Sequence, residues 1–456
     1  MPIDFLGSVF LDGTDIPYWE QIKTYGPAVT LLAGIKWYMG GNNNIWDRDL
    51  HGKVYMVTGG TSGLGARTTF EMAQKGAQIL MLVRSTEDQW LVDYIEDMRE
   101  KTNNPLIYAE ECDLASLHSV RLFATKWLDN SPPRRLDGVV CCAGELIPRG
   151  KPRQITIDGV ERQIAINYLA HFHLLTLLAP SFKVQPADRD VRVVITTCSS
   201  QAMAQIDFKD LLWSERQYPK GNPLKVYGTS KLMLGLFAKS YQRQLNVYER
   251  KDKNPVNVKI SIVNPGLMRT QSMRRFISMG SLLGLICYMI LWPLWFIIFK
   301  SPFQGAQSVL FALYAPIFAK GDGGNLVQEC RILKEGSRRE YQSEEFQDEL
   351  FTKTEQLITT LEKQLAIERK KQELKQNKDD KNKNNKKKTT ESKEKHYINE
   401  KPKTVGELDS RINELRNLIG MGQQLSSKEL PLFPDQTVDS IVGKASNPTK
   451  RKGKKV

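Results

Sequence analysis

The sequence predicts a doubly wound α/β domain over residues 51–334: a parallel sheet of seven strands with helices on both faces. Three observations predict it. From Lys53 onward, short runs rich in β-branched and apolar residues recur at the spacing of crossover units. Amphipathic helical stretches such as "ARTTFEMAQKG" and "SVRLFATKWLDN" lie between them. The first run leads directly into the glycine-rich stretch "TGGTSGLG". Strands that are apolar throughout, without alternation, are buried on both faces, and that arrangement joins parallel strands through helices.

In chain order, residues 1–50 precede the first strand. Their opening, "MPIDFLGSVFLDGTD", has acids and no early basic residue, so it resembles neither a secretory signal nor a mitochondrial presequence. The apolar patch "AVTLLAGIKWYMGG" (28–41) is too short to span a bilayer comfortably and is expected to touch a membrane surface. The strands follow as "KVYMVTG", "AQILMLV", "PLIYAEECD", "LDGVVCCAG", "VRVVITTCSS", "VNVKISIVNPG" and "GNLVQECRIL".

Beyond residue 334 the composition changes. Phe346, Leu350, Leu357, Leu361 and Leu365 fall at helical intervals and predict one amphipathic helix within 335–375. The remainder, 376–456, has too little apolar surface to repay ordering and is expected to be a largely disordered basic tail. A short helix near 405–420 is expected inside it. Thr404 and Glu407 would form its capping box, and Leu408, Ile412, Leu415 and Ile419 its apolar stripe.

With 456 residues and 41% apolar content, the chain can bury a large core. The net charge of +14 is uneven: from Lys334 onward, 28 Lys and Arg face 21 Asp and Glu, so half of the excess lies in the tail. Lys386–Lys388 and "KRKGKK" have no interleaved aromatics, which argues against nucleic-acid binding. Attraction to anionic lipid headgroups accounts for the same charge, and the sequence names no partner for the tail. The six cysteines (Cys112, Cys141, Cys142, Cys198, Cys287, Cys330) show no C-x-x-C spacing. They predict buried thiols in a reducing compartment, with neither a disulfide frame nor a metal site.

Gly59, Gly63 and Gly65 sit between the first strand and a helix. Glycines there permit a tight turn and let a pyrophosphate approach the backbone at a helix N-terminus, which makes the fold Rossmann-type. The second strand ends in "MLVRS", where a site for NAD has an acid to bind ribose hydroxyls. Arg84 stands there instead, and a guanidinium suits a 2′-phosphate, so the expected cofactor is NADP(H). Asp113 and Leu114 end the third strand, at the edge where an adenine would lie.

Residues 226–231, "VYGTSK", place Tyr227 and Lys231 four apart, on one face of a helix. A cation beside a phenol favours phenolate. The spacing therefore predicts a Tyr227 pKa lowered towards the working pH, as proton transfer to or from a substrate oxygen needs.

Four pieces together resemble the short-chain dehydrogenase/reductase family over this domain: "TGGTSGLG", "CDL" at 112–114, "CSS" at 198–200 with "YGTSK" at 227–231, and "NPGLMRT" at 264–270. "IDFKDLLWSERQYPKG", "INYLAHFHLL" and "FQGAQSVLFALYAP" look like its retinol-dehydrogenase-like, membrane-associated branch, in a fungal member. The resemblance implies NADP-dependent hydride transfer to or from a lipophilic alcohol or ketone, retinoid-, steroid- or lipid-like. Tyr227 would be the acid/base, and Lys231 would tune it and bind the nicotinamide ribose. Ser200 would hydrogen-bond the substrate oxygen, and Asn167 would position a water in a relay to Lys231. The implied cofactor site comprises Gly59, Thr61, Ser62, Gly63, Leu64, Gly65, Arg84, Asp113, Leu114, Ala143, Gly144, Tyr227, Lys231, Pro265, Gly266, Met268 and Thr270.

One departure weighs on that reading. Where the family has N-N-A-G after the fourth strand, this chain has Cys141-Cys142-Ala143-Gly144, without the amide that steadies the backbone beside the cofactor. The alternative function is a non-catalytic scaffold of the same fold that recruits partners through its basic tail.

Phe276 to Phe299 contains no charge, and its length matches a transmembrane helix. A span would strand the last helix and strand of the sheet across the bilayer. The expectation is therefore a helical pair broken at Pro293 that dips into one leaflet, on the cytosolic face of the endoplasmic reticulum or of a lipid droplet.

Overall fold

The central β-branched runs condense into one sheet because they are buried on both faces and pair where helices cover them. In the computed structural model, which describes residues 18–399 except 251, 252, 255, 256, 335 and 337, together with 406, 410 and 413, the strands are β1 (Val54–Thr58), β2 (Gln78–Val83), β3 (Ile107–Glu111), β4 (Gly138–Cys141), β5 (Val191–Thr196), β6 (Val258–Asn264), β7 (Asn325–Gln328) and β8 (Arg331–Leu333). Their order is β3-β2-β1-β4-β5-β6-β7-β8. All pairings are parallel except the last. The strand order reverses between β1 and β4, which opens a crevice at their carboxyl ends.

The seventh predicted strand, "GNLVQECRIL", is two strands. Glu329 (φ 51°) and Cys330 (φ 54°) both lie in the left-handed region and turn the chain back on itself. A two-residue turn with both centres left-handed matches the twist of a hairpin, so β8 adds an antiparallel edge to the seven parallel strands.

Helices cover both faces: α1 (Trp19–Gly40), α2 (Gly63–Gln74), α3 (Gln89–Thr102), α4 (Leu117–Leu128), α5 (Ala170–Leu177), α6 (Leu224–Val247), α7 (Gln271–Ile277), α8 (Leu282–Ile290), α9 (Trp292–Ile298), α10 (Pro302–Tyr314) and α11 (Glu344–Asn399). One core joins α2, α3 and α10 to the sheet through Met72, Leu91, Met98, Val309 and Leu313. The other joins α4, α5, α6 and the start of α11. In it Phe172 packs on Phe237 and Phe351 at ring-centroid distances of 4.6 and 5.0 Å.

Contact clustering divides the chain into residues 1–368 and 369–456. Within the first unit, α11 is bound to the domain: Tyr168 shares a 2.7 Å hydroxyl hydrogen bond with Thr354, and Glu362 pairs with Arg121 and with buried His173. In the second, the helix continues to Asn399, past the boundary at 375 from which the composition predicts disorder. Lys, a good helix former even without a core to bury, holds eight of the 24 positions from 376 to 399. The predicted helix near 405–420 and its capping box lie outside the described residues, apart from 406, 410 and 413.

The uncharged run 276–299 folds as α7, α8 and α9, and Pro293 occupies the first turn of α9, where its missing N–H costs nothing. Among the described residues no single helix is long and apolar enough to cross a membrane, and α7 and α8 meet at 108°. Leu282, Leu283, Ile286, Met289, Ile290 and Trp292 are exposed. So are Val29, Leu31, Trp37 and Tyr38 of α1, which packs against α9. Cys287, on this face, is exposed where a buried thiol is expected, and all six cysteines are free.

Candidate active site

The chain turns sharply after β1 because Gly59 has φ 68°, a conformation open to glycine. A Cβ on Gly59 would fall 2.8 Å from the Ala143 Cα, and one on Gly65 would fall 2.2 Å from the Gly59 carbonyl. Only glycines let this turn close against β4 and leave the N-terminus of α2 open to the crevice.

That crevice is a cleft of about 610 Å³. It collects residues far apart in sequence: Gly59, Thr61, Ser62, Gly63, Leu64 and Gly65 from the turn, Arg84 after β2, Asp113 and Leu114 after β3, and Ala143 and Gly144 after β4. Ser200, Tyr227 and Lys231 line it from the other side, with Pro265, Gly266, Met268 and Thr270 after β6. A second, more open concavity along α1 is lined mostly by apolar residues, with Lys23 and Tyr38 its titratable members.

Asn167 is the one expected site residue that does not line the cleft. It sits in a π-helical turn, Ala165–Leu169, ahead of α5. Its Oδ1 accepts from the Glu145 backbone N–H at 2.7 Å, and its Nδ2 donates to the Glu145 carbonyl at 3.0 Å and to the Ser230 hydroxyl at 3.1 Å. Its amide therefore fastens the chain after β4 to the helix that carries Tyr227 and Lys231.

The same segment explains how the chain manages without the missing amide. The Thr58 hydroxyl accepts from the Ala143 N–H at 3.1 Å and contacts His171 Nε2 at 3.0 Å. The hydroxyl can serve both, because it has one proton and two lone pairs. Burial, with the Lys231 charge adding to it, pushes the His171 pKa down to about 3, so the ring stays neutral. Thr196 Oγ1 donates to the Cys141 carbonyl at 2.8 Å. Three side chains, Thr58, Thr196 and Asn167, thus hold residues 141–145. Spacing gave no sign of the first two contacts: Thr58 opens "TGGTSGLG", where the glycines carry the pattern, and Thr196 lies in an apolar run.

Ser200 rides on a 3₁₀ turn, Ser199–Met203, pressed against α6. Gly228 makes that contact possible: a Cβ there would lie 2.1 Å from the Ser200 carbonyl oxygen. The Ser200 hydroxyl lies 2.6 Å from the Cys198 thiol. Lys231 is buried and donates to the Thr196 carbonyl at 3.0 Å.

The electrostatics differ from the expectation that Lys231 lowers the Tyr227 pKa. The ring is half-buried along the cleft, but burial of its hydroxyl end pushes the phenol up, and the facing Cys198 thiol acts in the same direction. Burial likewise pushes Lys231 down. The Cys198 thiol is itself raised by burial, and burial is the largest cause at both groups. Tyr227 therefore holds its proton at neutral pH and is set to donate it.

Sequence reasoning missed several residues of the cleft. Cys142, Glu145 and Arg162 line it, with Arg162 Nε 2.8 Å from Glu145 Oε2. Ser85, Asp88 and Trp90 extend it beyond Arg84, and Arg84 Nε stands 4.0 Å from Asp113 Oδ1. The glycine cradle, which any Cβ would fill, and the row of strand ends fit a dinucleotide.

Comparison with known proteins agrees with this geometry. The short chain dehydrogenase family model matches residues 53–209. An uncharacterized oxidoreductase of Saccharomyces cerevisiae is 44% identical over 379 residues, covering 78% of this chain and 91% of the relative. Retinol dehydrogenase 13 of Mus musculus is 30% identical over 286 residues, covering 61% and 77%. Polyprenol dehydrogenase of Mus musculus is 30% identical over 279 residues, covering 61% and 76%. With a glycine turn at the strand-order reversal and a serine, tyrosine and lysine facing it, the chain belongs to the short-chain dehydrogenase family.

Proposed function

We propose that this protein is a membrane-associated oxidoreductase that transfers hydride between NADP(H) and a lipophilic alcohol or ketone, acting at the cytosolic face of the endoplasmic reticulum or of a lipid droplet. The observation that carries the reading is the shared boundary of two features. Met268, Thr270 and Met273 line the cleft beside Tyr227, and they lead directly into the exposed apolar helices α8 and α9. A substrate dissolved in lipid would reach Tyr227 along that boundary.

The cofactor would lie along the cleft, held by the glycine turn and the N-terminus of α2, and would supply or accept the hydride. Arg84 favours a 2′-phosphate at the ribose end. The chain's own residues handle the proton. Ser200 orients the substrate oxygen, and Tyr227, protonated at neutral pH, gives that oxygen its proton as the carbonyl is reduced. In the reverse direction the phenolate takes the proton back. Lys231, fixed by the Thr196 carbonyl, brings a positive charge beneath the developing oxyanion. The two relatives named for retinol and polyprenol act, by those names, on lipophilic alcohols, and this supports the substrate class.

Replacing Leu282, Ile286, Ile290 and Phe296 together with serine tests the membrane part. The protein should move from the membrane fraction to the soluble fraction with NADPH binding intact. Continued sedimentation with membranes would sink the reading.

A further inference from the structure

Residues 265–321 contain no Asp or Glu, so the cations there must find other partners or none. Arg269 follows β6 at the base of the apolar helices, and Lys36 lies near the end of α1. The fold brings both of them to the ring of Phe296. Lys36 Nζ is 4.8 Å and the Arg269 guanidinium carbon 4.7 Å from the centroid of Phe296. Arg269 also covers Trp292 at 5.9 Å.

Among the described residues neither cation forms an ion pair with a carboxylate. Lys36 Nζ donates to the Phe299 carbonyl at 3.3 Å, which caps α9. The charged group that acts on it is Arg269, and together with burial it pushes the Lys36 pKa down. Arg269 Nε is fully buried with no hydrogen-bond partner among the described residues. Lys300, whose backbone pairs with that of Arg269, has an acid of its own in Glu329, which also accepts from the Asn42 N–H. Glu20, the acid of α1, is 16 positions from Lys36, about 24 Å along a helix. A buried guanidinium N–H without an acceptor costs about 1–3 kcal/mol.

We propose that Lys36 and Arg269 form a binding site for a phosphomonoester lipid headgroup of the phosphatidic acid type. Two such positive charges match a group that carries nearly two negative ones near neutral pH. A guanidinium fork and an ammonium together suit tetrahedral phosphate oxygens. Free phosphate would leave the exposed faces of α1 and α9 beside the site bare, whereas acyl chains attached to the headgroup would cover them. The proposal rests on the membrane reading above and adds a headgroup to it. It would fix the depth at which the cleft meets the lipid.

Flotation of the full-length protein tests it with three vesicles: phosphatidylcholine alone, and phosphatidylcholine containing either phosphatidic acid or phosphatidylserine at matched surface potential. Binding is expected to all three, with phosphatidic acid favoured about tenfold over phosphatidylserine. Lys36→Gln and Arg269→Gln should each bring that ratio near one, while Arg274→Gln, with the same loss of charge, leaves it intact. NADPH binding reports that each variant is folded. Equal binding to the two anionic vesicles, or a preference that survives both substitutions, would overturn the site and leave the membrane reading standing. Loss of the preference in excess inorganic phosphate would also overturn it, since the site would then take free phosphate. Failure to bind any vesicle would overturn the membrane reading itself.

Discussion

Gly228→Ala perturbs the contact that brings the serine to the tyrosine. The added Cβ would sit 2.1 Å from the Ser200 carbonyl oxygen and 2.8 Å from its carbon. Both are backbone atoms, so no side-chain rotation relieves the clash. Opening 2.1 Å to the 3.0 Å that Cβ atoms tolerate moves the Ser200 turn by roughly 1 Å, and a misplacement of that size costs about a hundredfold in rate. The effect on stability is smaller, because two terms oppose each other. Overpacking costs about 1–3 kcal/mol, and alanine in a helix interior recovers about 0.5–1 kcal/mol relative to glycine. The expected signature is a kcat lowered about a hundredfold, NADPH affinity within about twofold of wild type, and a melting temperature lowered by a few degrees. Stopped-flow NADPH oxidation with a lipophilic aldehyde that the wild type reduces gives the rate, and cofactor fluorescence the affinity. A kcat within threefold of wild type would refute the reasoning that this close approach positions Ser200.

Thr58→Val removes the acceptor for the Ala143 N–H and the hydrogen-bond partner of His171 Nε2, two buried contacts at about 1–3 kcal/mol apiece. Chemical denaturation should show the loss, and Thr58→Ser should restore it; an unchanged midpoint in the valine variant would contradict the clamp. Burial raises the Glu161 pKa from 4.5 to about 7 against the hydrogen bonds from Ile164, Gln163 and Tyr218, so the folded state holds this proton more tightly than the unfolded chain. Its contribution is intact below pH 4.5 and is lost as pH rises through about 7, by at most about 3 kcal/mol. Glu161→Gln should flatten that part of the stability–pH curve between 4.5 and 7; an identical curve in the variant would count against it. Arg84→Asp should reverse the preference for NADPH over NADH in fluorescence titrations, and equal wild-type affinities for the two would remove Arg84 from its assigned role.

The sheet was legible because buried parallel strands advertise themselves: "VRVVIT" and "VKISIVN" are rich in β-branched residues and are buried on both faces. The cleft was legible for a related reason, since Gly59, Gly65, Tyr227 and Lys231 serve constraints that few other residues meet at those spacings. What escaped was set by contacts between distant segments. The break at Glu329–Cys330 depends on two left-handed residues that carry no glycine signature. Thr58, Thr196 and His171 look like ordinary core residues until the fold places them against residues 141–145. The Tyr227 phenol is raised, not lowered, because spacing reports that a cation is near but not how deeply both groups are buried. Lys36 and Arg269 lie 233 positions apart, and only the packing of α1 on α9 joins them.

The central claim is hydride transfer at Tyr227 to a lipophilic carbonyl. Incubating the full-length protein with NADPH deuterated at C4 and a total lipid extract, followed by mass spectrometry of the lipids, tests it most directly. A lipid alcohol should gain one deuterium on its carbinol carbon with wild-type protein, and the gain should fall by about two to four orders of magnitude with Tyr227→Phe, which loses the proton donor but keeps the cleft. Deuterium that appears equally with Tyr227→Phe, or no labelled lipid at all from wild-type protein that binds NADPH, would contradict the account.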